Sequence, residues 1–559
     1  MKRVVAALVV LAAAAVPTAL PRSEAADVAQ RLPAFHPMDC PGPIAPPDRP
    51  VDCGYVVVPE NRRHPEGRTI RVAAAVVHSA DPTPRPDPIV FMNGGPSVMT
   101  IQGFAMFAYF AGASFAEHRD IVLIDTRGVG ISRPRLGCPE LDRADPVAAY
   151  SGRFVYDRAP SITGRALDHC WDRLTAKGID LASYDSREGA ADVEAIREAL
   201  GYDQWNLVAL SADGTIGMNY LRRYPDSIRS AVFDAPVTAN AEHGLDFFRG
   251  QVALVRHLFA ECRARAMCRE AYPGFERAFF RTVDRLNQHP ALVTLPAFQP
   301  HPVTLLIDGT GLINDLNWST WPGGPGSAST IPVQLKDFWA ITHGRLAGVY
   351  RRYLGTGPFE NPHNDDYSAD GKTMSVACHD FLPFVTEDDR REFAQEVPEF
   401  AQRVLGRQFD LGLGWNNWAS PEGCEHWPVG KAPRRQQWVV NSNVPTLVLS
   451  GTYDAAVAPV VVERMLPGLT NATYVEMPTS GHVILGAFTR AHWCSREITR
   501  HFLASPQDAP DTSCIGDIKP LYFGPPRGHQ QRASVSCPPS RWTGSAPYSR
   551  AWACRQSGR

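Results

Sequence analysis

The chain has almost no excess of either charge. Lys and Arg number 56 against 58 Asp and Glu, a formal net charge of −2. Nucleic acid and anionic membrane surfaces attract clustered, uncompensated cations, so no nucleic-acid partner is expected. Past the N-terminus there is no run of about 18 apolar residues, so no transmembrane helix is expected. Neither CxxC nor HExxH occurs at metal-ligand spacing, and neither a metal nor a cofactor is expected. The turn Asn93-Gly94-Gly95-Pro96 is not followed by Gly-Lys-Ser/Thr, which excludes a phosphate loop. No internal repeat is visible.

At 559 residues the chain has room for two or three domains or one large elaborated one. It opens with Lys2 and Arg3, an apolar run from Val4 to Val16 and then small residues to Ala25. That pattern predicts a secretory signal peptide over 1–25, too short and wrongly flanked for a membrane span. No Cys lies near the cleavage point, so no lipid anchor is expected, and the chain is predicted to be secreted or cell-envelope associated. The 12 cysteines then point to disulfides. They fall in local pairs: Cys40/Cys53, Cys138/Cys170, Cys262/Cys268, Cys378/Cys424, Cys494/Cys514 and Cys537/Cys554. Sequential pairing is the expectation, although spacing leaves other connectivities open.

Apolar, β-branched runs predict strands at Val56–Pro59, Ile70–His78, Ile89–Met92, Ile121–Ile124, Asn206–Leu210, Ala231–Phe233, Val444–Ser450 and Ala472–Met477. Helices are predicted at Asp185–Leu200, with Asp185 as cap and Gly201 as stop, and at Phe488–Leu503. Alternation of β and α on both sides of the middle argues a mostly parallel sheet flanked by helices. From about 240 to 435 helical stretches such as Leu245–Ala266 alternate with Gly/Pro/Trp-rich loops. This division predicts a core over 26–239 and 436–523, a mainly helical cap inserted at 240–435, and a Pro/Ser-rich peripheral tail at 524–559.

The core is organised around Trp205–Pro225: a strand, Ser211, the small residues Ala212, Asp213 and Gly214, then a helix. Strand, sharp turn at a serine and helix is the layout of a nucleophile elbow in an α/β-hydrolase. The consensus G-x-S-x-G has lost both glycines here, to Ala209 and Asp213. A strand–helix junction with a capping serine would read the same way, so partners elsewhere decide. A weakly nucleophilic hydroxyl needs a base, and the base an orienting acid. Asp454 and His482 follow consecutive predicted strands, in the order Ser, acid, His that this fold uses. Asp234, also at a strand end, is the second choice of acid. The Gly94-Gly95 turn follows a strand where a backbone N–H can meet a substrate oxygen, so the amides of Gly95 and Ala212 are the expected oxyanion donors. Asp213 has two readings. It caps the following helix, or its charge lies near His482 and raises the imidazole pKa.

These residues stand in a wider resemblance. NGGPS (93–97), DTRGVGIS (125–132), the LGCP around Cys138, residues 178–207, LRRYPDSIRSAVFDAP (221–236), ACHD (377–380), CEHWP (424–428), GTYDAAVAP (451–459) and SGHVIL (480–485) together resemble the secreted tripeptidyl-aminopeptidase and proline-iminopeptidase-like α/β-hydrolases. The resemblance covers most of residues 40–524. It implies a hydrolase core with a helical cap, a Ser211–Asp454–His482 triad, and release of residues from free peptide N-termini. The chain departs from that pattern at Asn93, where the iminopeptidases usually carry His, and at Ala212-Asp213, where the family usually has Tyr-Gly. The expected substrate is a peptide or a small acyl compound. A carboxylesterase or amidase and a non-catalytic binding protein with the same fold are the other readings. An exopeptidase must also hold an ammonium group, for which the cap offers Asp308, Asp315 and Asp337.

Overall fold

The computed structural model describes residues 33–42, 44–45, 49–95, 97–103, 116, 118–143, 159–242, 244–295, 303–314, 331–349, 369–403, 421–485 and 490–523. The predicted signal segment, the tail with Cys537 and Cys554, and Asp315 lie outside these residues.

Eleven strands are described: β1 (Phe35–Met38), β2 (Val51–Pro59), β3 (Thr69–Val77), β4 (Ile89–Met92), β5 (Ile121–Asp125), β6 (Trp205–Leu210), β7 (Ile228–Asp234), β8 (Ala291–Leu295), β9 (Val303–Ile307), β10 (Thr446–Gly451) and β11 (Ala472–Met477). Nine of them form one sheet in the order β1-β2-β3-β5-β4-β6-β7-β10-β11. The pairs from β1 to β5 are antiparallel, and every pair from β5 through β11 is parallel. Parallel strands are covered on both faces, which is why β4, β6 and β10 are mainly apolar and buried at every residue. Alternation along β6 sends Leu207 and Ala209 into one core layer and Val208 and Leu210 into the other.

The chain leaves β4 for β5 on one side and later returns to β6 on the other. The carboxyl ends of β4 and β6 therefore flank a crevice of the kind where open sheets bind ligands. Helix Ser186–Leu200 packs on helix Gly214–Arg223 and on β2. Asp185 accepts the Glu188 N–H at 2.7 Å as its cap, and Gly201 ends it with a φ of 74°.

Between β7 and β10 the described residues add helices, among them Leu245–Ala264, Phe275–Gln288, Ile331–Thr342 and Asp370–Val376. They also add the antiparallel hairpin β8–β9, which the sequence reading missed. Its strands are five residues each, too short to stand out from the apolar helical stretches around them. This segment has its own apolar cluster, built around Phe259, Phe279 and Phe400, which takes in Tyr453 and Ala455 on either side of Asp454. The helix Leu245–Ala264 thus packs on the loop that presents the acid.

Among the described residues five disulfides join Cys40–Cys53, Cys138–Cys170, Cys262–Cys268, Cys378–Cys424 and Cys494–Cys514, each between cysteines consecutive in the sequence. Among the described residues no helix is long and apolar enough to cross a membrane.

Candidate active site

β6 ends at Leu210, and a single 3-10 turn, Ser211–Asp213, leads into helix Gly214–Arg223. Ser211 takes a φ of 49°, left-handed backbone that a non-glycine residue holds only when its surroundings impose it. Gly214 is crowded in this elbow. A Cβ on Gly214 would stand 2.7 Å from Pro236 Cβ. At the two missing consensus glycines, Ala209 sits within the strand and Asp213 turns its carboxyl to the Gly94 N–H.

His482 joins the serine from a loop after β11. Its Nε2 lies 2.9 Å from Ser211 Oγ and its Nδ1 2.8 Å from Asp454 Oδ2. Asp454 turns its Oδ1 to the backbone N–H groups of Ala456 and Val457, at 2.8 and 2.9 Å. With both carboxylate oxygens accepting, the Nδ1 proton points at Asp454, and Nε2 is left to accept from the Ser211 hydroxyl. Ser211, Asp454 and His482 are all buried. This geometry can draw the serine proton to Nε2 while the carboxylate balances the imidazolium that forms.

Asp234, the second choice of acid, does something else. Its two oxygens accept the N–H groups of Ile484 and Leu485 at 2.9 and 2.8 Å. Between strand β11 and that grip, Thr479 and Val483 take φ values of 61° and 55°. Asp234 thus clamps a strained loop in the pose that places His482. Burial pushes its carboxyl up to about 6, against the pull of the two N–H groups and of His482.

The glycine turn lies directly against the elbow. Gly94 and Gly95 have φ values of 91° and 47°. A Cβ on Gly94 would meet Leu210 O at 2.6 Å and Ser211 Cβ at 2.8 Å. Past the turn, Asp125 at the end of β5 holds the chain with one oxygen, which accepts from Thr100 N at 2.7 Å and Ile101 N at 3.0 Å. From the inserted segment, Ala369 N donates to Ser97 O and Thr373 Oγ1 to Ser97 Oγ.

The capping reading of Asp213 needs correction. The helix after it has no side-chain cap. The carboxyl instead reaches across to the turn and accepts the Gly94 N–H at 3.0 Å. Burial pushes it up to about 7; the Gly94 bond and the Lys372 ammonium oppose this. Lys372 is itself fully buried, donates to Tyr184 O at 2.8 Å and is brought down to about 8 by burial. No local pattern marked Lys372, because the partners that define it come from distant parts of the chain.

Two of the acids proposed for an ammonium group are described. Asp308 accepts the Gly311 N–H at 2.7 Å at the start of helix Gly309–Asn314, and Asp337 is buried beside Tyr272. Asp185, His379 and Asp380 bring ligand atoms within 4.8 Å of one another. They are occupied with protein partners: His379 Nδ1 meets Asp380 Oδ1 at 2.8 Å, and Asp380 Oδ2 accepts from Ser186 N at 2.9 Å. The buried cations Lys372 and Arg127 balance this group.

Comparison with known proteins agrees with this architecture. Serine protease Hip1 of Mycobacterium tuberculosis is 27% identical over 432 residues, covering 72% of this chain and 76% of that protein. Tripeptidyl aminopeptidase of Streptomyces lividans is 28% identical over 204 residues, covering 35% of this chain and 37% of that one. Carboxylesterase B of Mycobacterium tuberculosis is 27% identical over 280 residues, covering 48% and 52%. The family model for the alpha/beta hydrolase fold matches residues 87–486, from just before β4 to just past His482, and this chain belongs to that family.

Proposed function

We propose that this chain is an exported serine hydrolase of the aminopeptidase type, releasing short peptides or single residues from free peptide N-termini. The observation that carries the reading is the unbroken line from Asp454 through His482 to Ser211, with contacts of 2.8 and 2.9 Å. Ser211 Oγ attacks the scissile carbonyl carbon as its proton passes to His482 Nε2. The tetrahedral oxyanion takes the N–H groups of Gly95 and Ala212. The leaving amine departs with the proton from Nε2, and water then cleaves the acyl-enzyme by the same steps. Asp454 keeps the Nδ1 proton in place throughout. The segment between β7 and β10 acts as a cap that restricts access to short substrates. Relatives named serine protease and tripeptidyl aminopeptidase support a peptide substrate. The apolar N-terminal run with its small-residue end and the five disulfides support export.

A carboxylesterase or amidase on a small acyl compound is the second reading. The same triad serves esters and amides, and one relative is named a carboxylesterase. A fluorophosphonate probe tests the nucleophile, and a peptide panel with free and acetylated N-termini separates the two substrate classes. An aminopeptidase loses most of its kcat/KM on acetylated peptides, because a site built for the ammonium is left unpaired. Equal rates on blocked and free peptides, with faster turnover of simple esters, would establish the second reading.

A further inference from the structure

The Gly94-Gly95 turn has little of its own to hold it. Neither residue has a side chain, both take left-handed φ values, and two adjacent glycines lose more backbone freedom on ordering than any other pair. Its conformation must therefore be imposed from outside. On the downstream side Gly95 O accepts the Val98 N–H at 3.0 Å, and Ser97 is held by Ala369 and Thr373. On the upstream side Asn93 N reaches Thr100 Oγ1 only at 3.4 Å. Between them, one bond ties the turn to the elbow itself: Gly94 N–H to Asp213 Oδ2, at 3.0 Å. Asp213 lies two residues from Ser211 in the same 3-10 turn, so it shares the rigid frame of the nucleophile. Its side chain is buried, where a hydrogen bond is not diluted by competing water.

We propose that Asp213 is a positioning residue, whose carboxyl oxygen fixes the Gly94-Gly95 turn to the nucleophile elbow and so aims the Gly95 N–H at the developing oxyanion. Its engagement of the Gly94 N–H also removes that group as an oxyanion donor and leaves the task to Gly95 and Ala212. The acceptor oxygen does the positioning, and a neutral amide in the same place serves as well. The inference rests on the reading of Ser211 as nucleophile.

The test uses the whole chain and a fluorophosphonate. In that reaction Ser211 Oγ forms a bond to phosphorus, fluoride leaves, the serine proton passes to His482, and the phosphoryl oxygen occupies the oxyanion site. Asp213→Ala removes the acceptor, and Asp213→Asn keeps one. Both are expected to fold, since each removes a buried carboxyl that burial already disfavours; Asp213→Gly repeats the deletion should alanine disturb the turn. The expected result is a kinact reduced about 10- to 100-fold in Asp213→Ala, the scale of an active-site misplacement of about 1 Å. KI is expected to stay within about twofold of the parent, and Asp213→Asn to recover most of kinact, because the approach of the probe does not depend on the turn. A kinact in Asp213→Ala and Asp213→Gly equal to the parent overturns the proposal. So does an Asp213→Asn variant as slow as the deletions, which would make charge the active property. Failure of the parent to label at Ser211 at all overturns the nucleophile itself, and with it both readings.

Discussion

Gly94 and Ser211 stand so close that a methyl group on Gly94 would meet the serine Cβ at 2.8 Å and the Leu210 carbonyl at 2.6 Å. The turn after β4 and the elbow after β6 are thus one packed unit, although they come from opposite sides of the chain's crossover in the sheet. Gly94→Ala introduces this clash and places an L side chain at a φ of 91°. The left-handed strain alone amounts to about 1–2 kcal/mol. Because the other contact is backbone, relief requires the turn to move off the serine. The expected outcome is a modest fall in Tm with a loss of about 100-fold in phosphonylation rate. A variant with parental rate would show that the turn takes no part in the chemistry.

Substitutions in the triad should behave as a unit. Ser211→Ala is expected to abolish probe labelling while leaving the unfolding midpoint near that of the parent, because the hydroxyl adds little packing. His482→Ala should lower turnover by about 10⁴-fold or more. Asp454→Asn should be nearly as damaging. The amide would donate to Nδ1 and drive the ring to the tautomer that faces Ser211 with an N–H. Full turnover in any of the three, measured on the best substrate of the peptide and ester panel, would remove the assignment.

The order of the proposed catalytic residues along the chain was readable because this sheet exposes strand ends on one edge. Ser211 and Asp454 each follow a mainly apolar run that is buried in the sheet, and His482 follows β11, a half-buried strand at the sheet's end whose Val475 and Met477 still mark it. What escaped was everything set by contacts across the sheet. Asp234 looked like a rival acid because it too ends a strand, but its partners, Ile484 and Leu485, come from the far end of the core. Asp213 looked like a defect in the elbow because the consensus assumes that crowding falls two residues after the serine. Here Gly214 is crowded against Pro236, and Asp213 turns its carboxyl to the Gly94 N–H. The hairpin β8–β9 was missed for a different reason: it is short, lies among helices and, among the described residues, forms a two-stranded sheet of its own.

The Cys378–Cys424 bridge should matter to the inserted segment. It closes a separation of 46 residues and ties the turn that carries His379 and Asp380 to the region of Trp427. A closed loop of that size restricts the unfolded chain by about 4 kcal/mol on the chain-entropy account. The double variant Cys378→Ala/Cys424→Ala should therefore unfold at a clearly lower denaturant concentration than the parent. A midpoint unchanged from the parent would mean that the local packing around Trp427 holds the segment without the bridge.

Two of the buried carboxyls at the site, Asp213 and Asp234, should leave a signature in stability against pH. The ordinary value for Asp is 3.8; burial pushes Asp234 up to about 6 and Asp213 up to about 7. A carboxyl whose value is raised on folding binds its proton more tightly in the native state than in the unfolded chain. Stability therefore falls as pH rises wherever the native protein alone keeps that proton. For Asp213 the window runs from near 3.8 to about 7, and above it the contribution is constant. Each pH step inside the window is worth about 1.4 kcal/mol. Other carboxylates act in the opposite sense, Asp192 among them, because burial raises it but Arg127 and Arg62 lower it more. The comparison must therefore be made between parent and variant at each pH. Asp213→Asn does not titrate. The difference in unfolding free energy between it and the parent, from urea titrations at about pH 5 and about pH 8, should shift in favour of the variant by roughly 2–3 kcal/mol as pH rises. A difference that does not change with pH would mean that Asp213 is ionised throughout, its charge already met by Lys372 and the Gly94 N–H.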